Sequence, residues 1–74
     1  MIRVLVKVPA NDYWLEENVA WLMSGQKRFR GKHGRWESSW FVATMGLAKE
    51  FKDELESRYR GVSVVIDRKK KQDA

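Results

Sequence analysis

From Ile2 to Val8 the chain alternates: Ile2, Val4, Val6 and Val8 fall on one side, and Arg3, Leu5 and Lys7 on the other. β-Branched residues at period two specify a strand buried on one face. Pro9 ends it, because it has no N–H to give to a ladder. The apolar period then lengthens. Trp14, Leu15, Asn18, Val19, Leu22 and Met23 recur near helical spacing. Asn11 or Asp12 supplies an acceptor for the first turn, and Asp12, Glu16 and Glu17 suit the positive end of the helix dipole. With Gly25 as the C′ residue, the spacing predicts a helix over about 12–24.

Period two returns between Gln26 and Met45, which reads as two strands joined at Gly31-Lys-His-Gly34. Trp36, Trp40 and Val42 favour the extended state. Next, Leu47, Phe51, Leu55 and Tyr59 recur every four residues, behind a Thr44 cap and ahead of Arg58, Arg60 and Gly61. That is an amphipathic helix with charge placement suited to its ends. Val62 to Ile66 is the final strand. The order β-α-β-β-α-β is the split βαβ pattern of the α+β, ferredoxin-like fold. It implies a four-stranded antiparallel sheet with both helices on one face and the first and third strands central. Residues 1–67 are expected to form a single domain, and 68–74 a basic, disordered tail.

Composition narrows the chemistry. In 74 residues there are four Trp, three Phe and two Tyr but no Cys, so a small core must rely on aromatic burial and not on disulfides. His33 alone cannot build a metal site. No apolar run reaches membrane-spanning length, and Arg3 and Lys7 interrupt the only apolar stretch near the N-terminus. A cytoplasmic protein with no cofactor, no metal and no membrane association is the expectation. The net charge of +5 attracts phosphates or an acidic protein surface, although Arg68-Lys-Lys-Lys71 supplies part of it.

If Arg30 pairs with Arg35 across a Gly31–Gly34 turn, Phe29 faces Trp36 and Arg28 faces Glu37. Phe29, Trp36, Ser38, Trp40 and Val42 then enter the core beside Val4, Val6, Leu15, Leu22, Phe51 and Leu55. Arg28, Arg30, Arg35, Glu37, Ser39 and Phe41 join Arg3, Leu5 and Lys7 on the open face. Like charges at Arg30 and Arg35 would repel unless an anion lay between them. A turn one residue longer or shorter moves one strand's whole set to the other face.

A cationic track with a stacking aromatic is what single-stranded nucleic acid requires. Arg3, Lys7, Arg28, Arg30, Lys32 and Arg35 would supply the track, Phe41 the stack, and Lys69, Lys70 and Lys71 a loose phosphate hold. Ser39-Trp-Phe-Val-Ala43 resembles the end of the third-strand motif of the RNA-recognition motif family, which shares this topology. That resemblance implies base reading on the third and first strands. Trp36-Glu-Ser38 departs from the basic-Gly-aromatic start of that motif, and the first strand carries no aromatic. The competing reading is an inhibitor or adaptor docking on an acidic protein, anchored by Trp14 or Trp21; in a chain short of core, those rings more often cap the core edge. Catalysis is not expected. Acylphosphatases share the topology, but Val8-Pro-Ala-Asn-Asp12 lacks their phosphate-cradling Gly-rich loop. Ser38 and Ser39 have no evident base. The sequence therefore points to a small non-enzymatic binding module that holds a nucleic acid (RNA or single-stranded DNA) or nucleoprotein ligand on a basic open sheet face and hairpin turn, or else to an inhibitor or adaptor, of the kind phages use against host enzymes, that docks on an acidic protein surface. Homodimers through edge strands or the sheet face are compatible with it.

Overall fold

A computed structural model describes residues 1–67. Along the chain it contains β1 (Ile2–Lys7), α1 (Tyr13–Leu22), β2 (Lys27–Arg28), β3 (Glu37–Val42), α2 (Met45–Arg58) and β4 (Ser63–Asp67). The sheet order is β2-β3-β1-β4, and every neighbouring pair is antiparallel.

Local signals set most of these boundaries. The Asp12 carboxylate accepts from Leu15 N–H at 3.0 Å and caps α1; the Thr44 hydroxyl accepts from Leu47 N–H at 3.1 Å and caps α2. Each satisfies one of the free donors of a first turn. Gly61 takes φ +91° just beyond α2, and a Cβ there would stand 3.0 Å from Pro9 Cγ. Gly25 is not the C′ residue anticipated above. The helix ends earlier, at a Met23 cap with φ −90°, because Met23 is drawn into the core and is fully buried.

Val4 and Val6 of β1, Trp40 and Val42 of β3 and Val64 of β4 join Leu15, Val19, Met23, Ala48, Leu55 and Tyr59 in one buried cluster. The β1 and β3 alternations are as expected. Ile2 pairs with Val42, Val4 with Trp40 and Val6 with Ser38, so these side chains share the buried face. Ala48 is buried between the expected stripe positions, whereas Leu47 and Phe51 are only partly buried.

The β2–β3 pairing differs from expectation. Arg28 pairs with Trp40 and Lys27 with Phe41, so Arg28 lies three residues further along β3 than Glu37. An odd displacement turns over one strand's side chains. Phe29 therefore lies on the open face and not in the core, and Arg28 lies on the helix side, stacked 4.9 Å from the Trp40 ring. Tertiary contacts outweigh the two glycines. Arg35 Nη1 donates to Glu16 Oε2 of α1 at 2.6 Å, and Trp36 meets Tyr13 edge to face at 5.1 Å. Both draw the chain before β3 toward α1. A turn forms at Gly34–Glu37 instead, where Glu37 N–H donates to Gly34 O at 3.2 Å and Glu37 Oε1 accepts from Gly34 N–H at 3.0 Å. Arg30 and Arg35 are thus not cross-strand partners, and the repulsion expected between them is absent.

The β4 edge is shielded by α2. Val64 N–H donates to Glu56 Oε2 and Lys52 Nζ donates to Val64 O, each at 3.0 Å. Lys52 and Glu56 pair with each other at 2.8 Å. Together they occupy both backbone groups that a further strand would use at this position.

Candidate nucleic-acid interface

The register makes a grid of the open face. Lys27, Phe41, Arg3 and Asp67 lie in one row across the four strands; Ser39, Leu5 and Val65 lie in the next; Glu37, Lys7 and Ser63 in the third. Phe29, whose N–H donates to Ser39 O at 2.9 Å, extends the middle row. Ser39 is small and only 2% exposed. The Phe29 ring meets the Phe41 ring edge to face at 5.8 Å, and the Arg3 guanidinium stands over Phe29 at 4.8 Å.

This face is less cationic than expected. Arg3 Nη2 pairs with Asp67 Oδ2 at 2.9 Å, and Lys7 lies across from Glu37. Arg28 and Arg35 are not on it: Arg28 covers Trp40, and Arg35 is held by Glu16 and stands 4.1 Å from the Trp36 ring. In their place the face has a second aromatic, Phe29, and Lys27.

The charge concentrates on the adjoining rim. Lys27, Arg28, Arg30 and Lys32 are all exposed, and none has an ion-pair partner among the described residues. His33 is exposed at the loop tip, with Nδ1 3.1 Å from Gly34 O. Gly31 allows the loop to fold against the aromatics, since a Cβ there would collide with the Phe29 ring. Of the residues named from sequence, Arg3 and Phe41 share the open face, with Lys7 at its far row, and Arg30 and Lys32 are exposed in the loop that follows β2. Arg35 is tied into the fold. Lys69, Lys70 and Lys71 lie outside the described residues. Phe29 and Lys27 were the omissions, and both follow from the displaced register.

Away from this surface, Trp14 and Trp21 are 64% and 73% exposed. They do not cap the core edge as expected, although Trp14 meets Tyr59 edge to face at 5.9 Å. A cleft of about 250 Å³ between α1 and β3 is lined by Glu16, Glu17, Glu37, Arg28 and Trp36, among others. Among the described residues there is no group of three or more His, Cys, Asp or Glu placed to hold a metal, and no helix long and apolar enough to cross a membrane.

Comparison with known proteins returns no matching family model, no matching curated protein and no matching solved structure.

Proposed function

We propose that this chain is a non-enzymatic, cytoplasmic module of the ferredoxin-like fold that binds single-stranded nucleic acid. The antiparallel order β2-β3-β1-β4 supports the fold assignment. The observation that carries the functional reading is that cations and an aromatic share one stretch of chain. Lys27, Arg28, Arg30 and Lys32, exposed and without an ion pair among the described residues, lie on β2 and the loop that follows it, the stretch of chain that also carries Phe29 of the Phe29–Phe41 pair. A strand lying along β2 would place its phosphates on the rim and turn bases onto the rings, which is how cation and aromatic contacts divide the work in single-strand binding. Duplex fits less well, because its stacked and paired bases offer no free face to the half-buried Phe29 and Phe41 rings.

The test is fluorescence anisotropy of a labelled eight-nucleotide oligo(dT) and its duplex counterpart in low salt. Binding of the single strand, weakened about tenfold or more by Arg30→Gln with Lys32→Gln, is expected from the loss of two phosphate contacts. No binding in low salt would remove the reading.

A second reading has its own support. Exposed tryptophans on one helix are the kind of anchor that protein interfaces use. An adaptor or inhibitor docking through Trp14 and Trp21 would lose its partner in the Trp14→Ala, Trp21→Ala variant while the rim variants kept it.

A further inference from the structure

We infer that the open face contains a slot for one pyrimidine base, formed by Met1, Arg3, Phe29 and Phe41. The inference rests on the nucleic-acid reading above and specifies which base the surface takes.

Three observations support the slot. First, these residues line a recess of about 110 Å³. That is smaller than the roughly 150 Å³ apolar cavity that holds a whole benzene molecule, so the recess admits part of a single six-membered ring, and a fused purine would project further from it. Second, the recess is walled on edge and face. Phe29 and Phe41 meet at a steep angle, 74° between planes, so they present a corner and not a flat platform. Met1, 76% exposed, forms a wall that can move aside. Gly31 packs against the far side of Phe29, where any Cβ would displace the ring. Third, the remaining wall holds an unused donor. Asp67 binds the Arg3 guanidinium through Nη2, whereas Arg3 Nε is buried without a hydrogen-bond partner among the described residues. A buried donor left unmet is costly. The carbonyl at position 2 of uracil, thymine and cytosine is an acceptor of the kind this donor needs; the ring nitrogens of adenine also accept, so the size of the recess carries the discrimination between them. The Asp67 pairing and the stacking over Phe29 limit how far the guanidinium can turn, so a base must shift the exposed Met1 or the Phe29 ring to reach Nε.

A flat open platform would behave differently. There the larger purine surface stacks at least as well as a pyrimidine. A corner slot reverses that order.

The experiment uses mononucleotides, so that stacking within a strand does not bias the comparison. The full chain is titrated with UMP and with AMP by NMR, following the ring protons of Phe29 and Phe41 and the Arg3 Nε–H; the oligo(dT) octamer is measured in parallel. The expected result is that UMP moves the three sets of signals together, with an affinity about fivefold or more above that of AMP, and shifts the Arg3 Nε–H downfield. The steric fit supplies a difference of that order, about 1 kcal/mol. In Gly31→Ala, which displaces Phe29, the preference falls to within about twofold on the same scale. Equal or stronger shifts from AMP would overturn the slot. So would shifts confined to Arg30 and Lys32, or silence from both mononucleotides while the octamer binds; each of these leaves the single-strand reading standing. If the octamer itself fails to bind, both conclusions fall.

Discussion

Removing the Glu56 carboxylate tests the account of the β4 edge. Glu56 accepts the Val64 N–H at 3.0 Å and pairs with Lys52 at 2.8 Å. A hydrogen bond to a charged acceptor contributes about 1.5–3 kcal/mol when well shielded. This one lies at a half-exposed edge where water can replace it, so about 1 kcal/mol is the appropriate figure. The i,i+4 pair with Lys52 adds about 0.3–0.5 kcal/mol. Glu56→Ala should therefore cost about 1.5 kcal/mol, which in a domain of this size lowers Tm by about 6–12 °C. Lys52 first, and then the Val64 N–H, holds the Glu56 carboxyl below its ordinary value of 4.5. A carboxyl lowered in the folded state contributes stability that is present above its unfolded pKa and lost as pH falls through the folded one. The gap in Tm between parent and Glu56→Ala, followed by circular dichroism, should thus be full at neutral pH and close as acid protonates the carboxyl, at a pH below its ordinary value of 4.5. Glu56→Gln, which keeps an acceptor but not the charge, should fall between. No gap at pH 7, or an undiminished gap in acid, would refute the reasoning.

Other outcomes follow from the same structure. Trp40→Ala, at a ring 4% exposed, should cost about 3–5 kcal/mol in urea unfolding, while half-buried Trp36→Ala should cost clearly less. Arg35→Gln should leave oligonucleotide affinity within about twofold, because that guanidinium is held by Glu16, and its coupling to Glu16 in a double-mutant cycle should be about 0.2–1 kcal/mol. Thr44→Ala, which deletes the α2 cap, should destabilise by about 1 kcal/mol by thermal melt. The Lys52→Ala, Glu56→Ala double variant frees the backbone groups of Val64, and light scattering at rising concentration should show self-association that the parent lacks.

Much of this fold is legible in the sequence because it depends on local signals. The alternation in Ile2 to Val8 places β1, and Asp12 and Thr44 mark the helix starts. The β2–β3 register was not legible. Gly31 and Gly34 look like the two ends of a tight turn, and nothing local shows that Glu16 will hold Arg35 or that Tyr13 will hold Trp36. Those contacts span the chain and lengthen the loop by an odd displacement, which carries Phe29 out of the core and Arg28 off the open face. The candidate site inherits that shift. Arg3, Phe41, Arg30 and Lys32 were readable as exposed chemistry. The pairing of Arg3 with Asp67 and the neighbourhood of Phe29 and Phe41 required the sheet. Trp14 and Trp21 show a related limit, since helical spacing says that two rings share a face but not whether anything covers it.

The salt dependence of single-strand binding tests the central claim most directly. If Lys27, Arg28, Arg30 and Lys32 each neutralise one phosphate, log K for oligo(dT) against log salt concentration should have a slope of about −3, from about −0.7 per phosphate. In the Arg30→Gln, Lys32→Gln variant the slope should fall to about half that value. A slope near zero, or one unchanged in the variant, would contradict the assignment of the rim as the phosphate-binding surface.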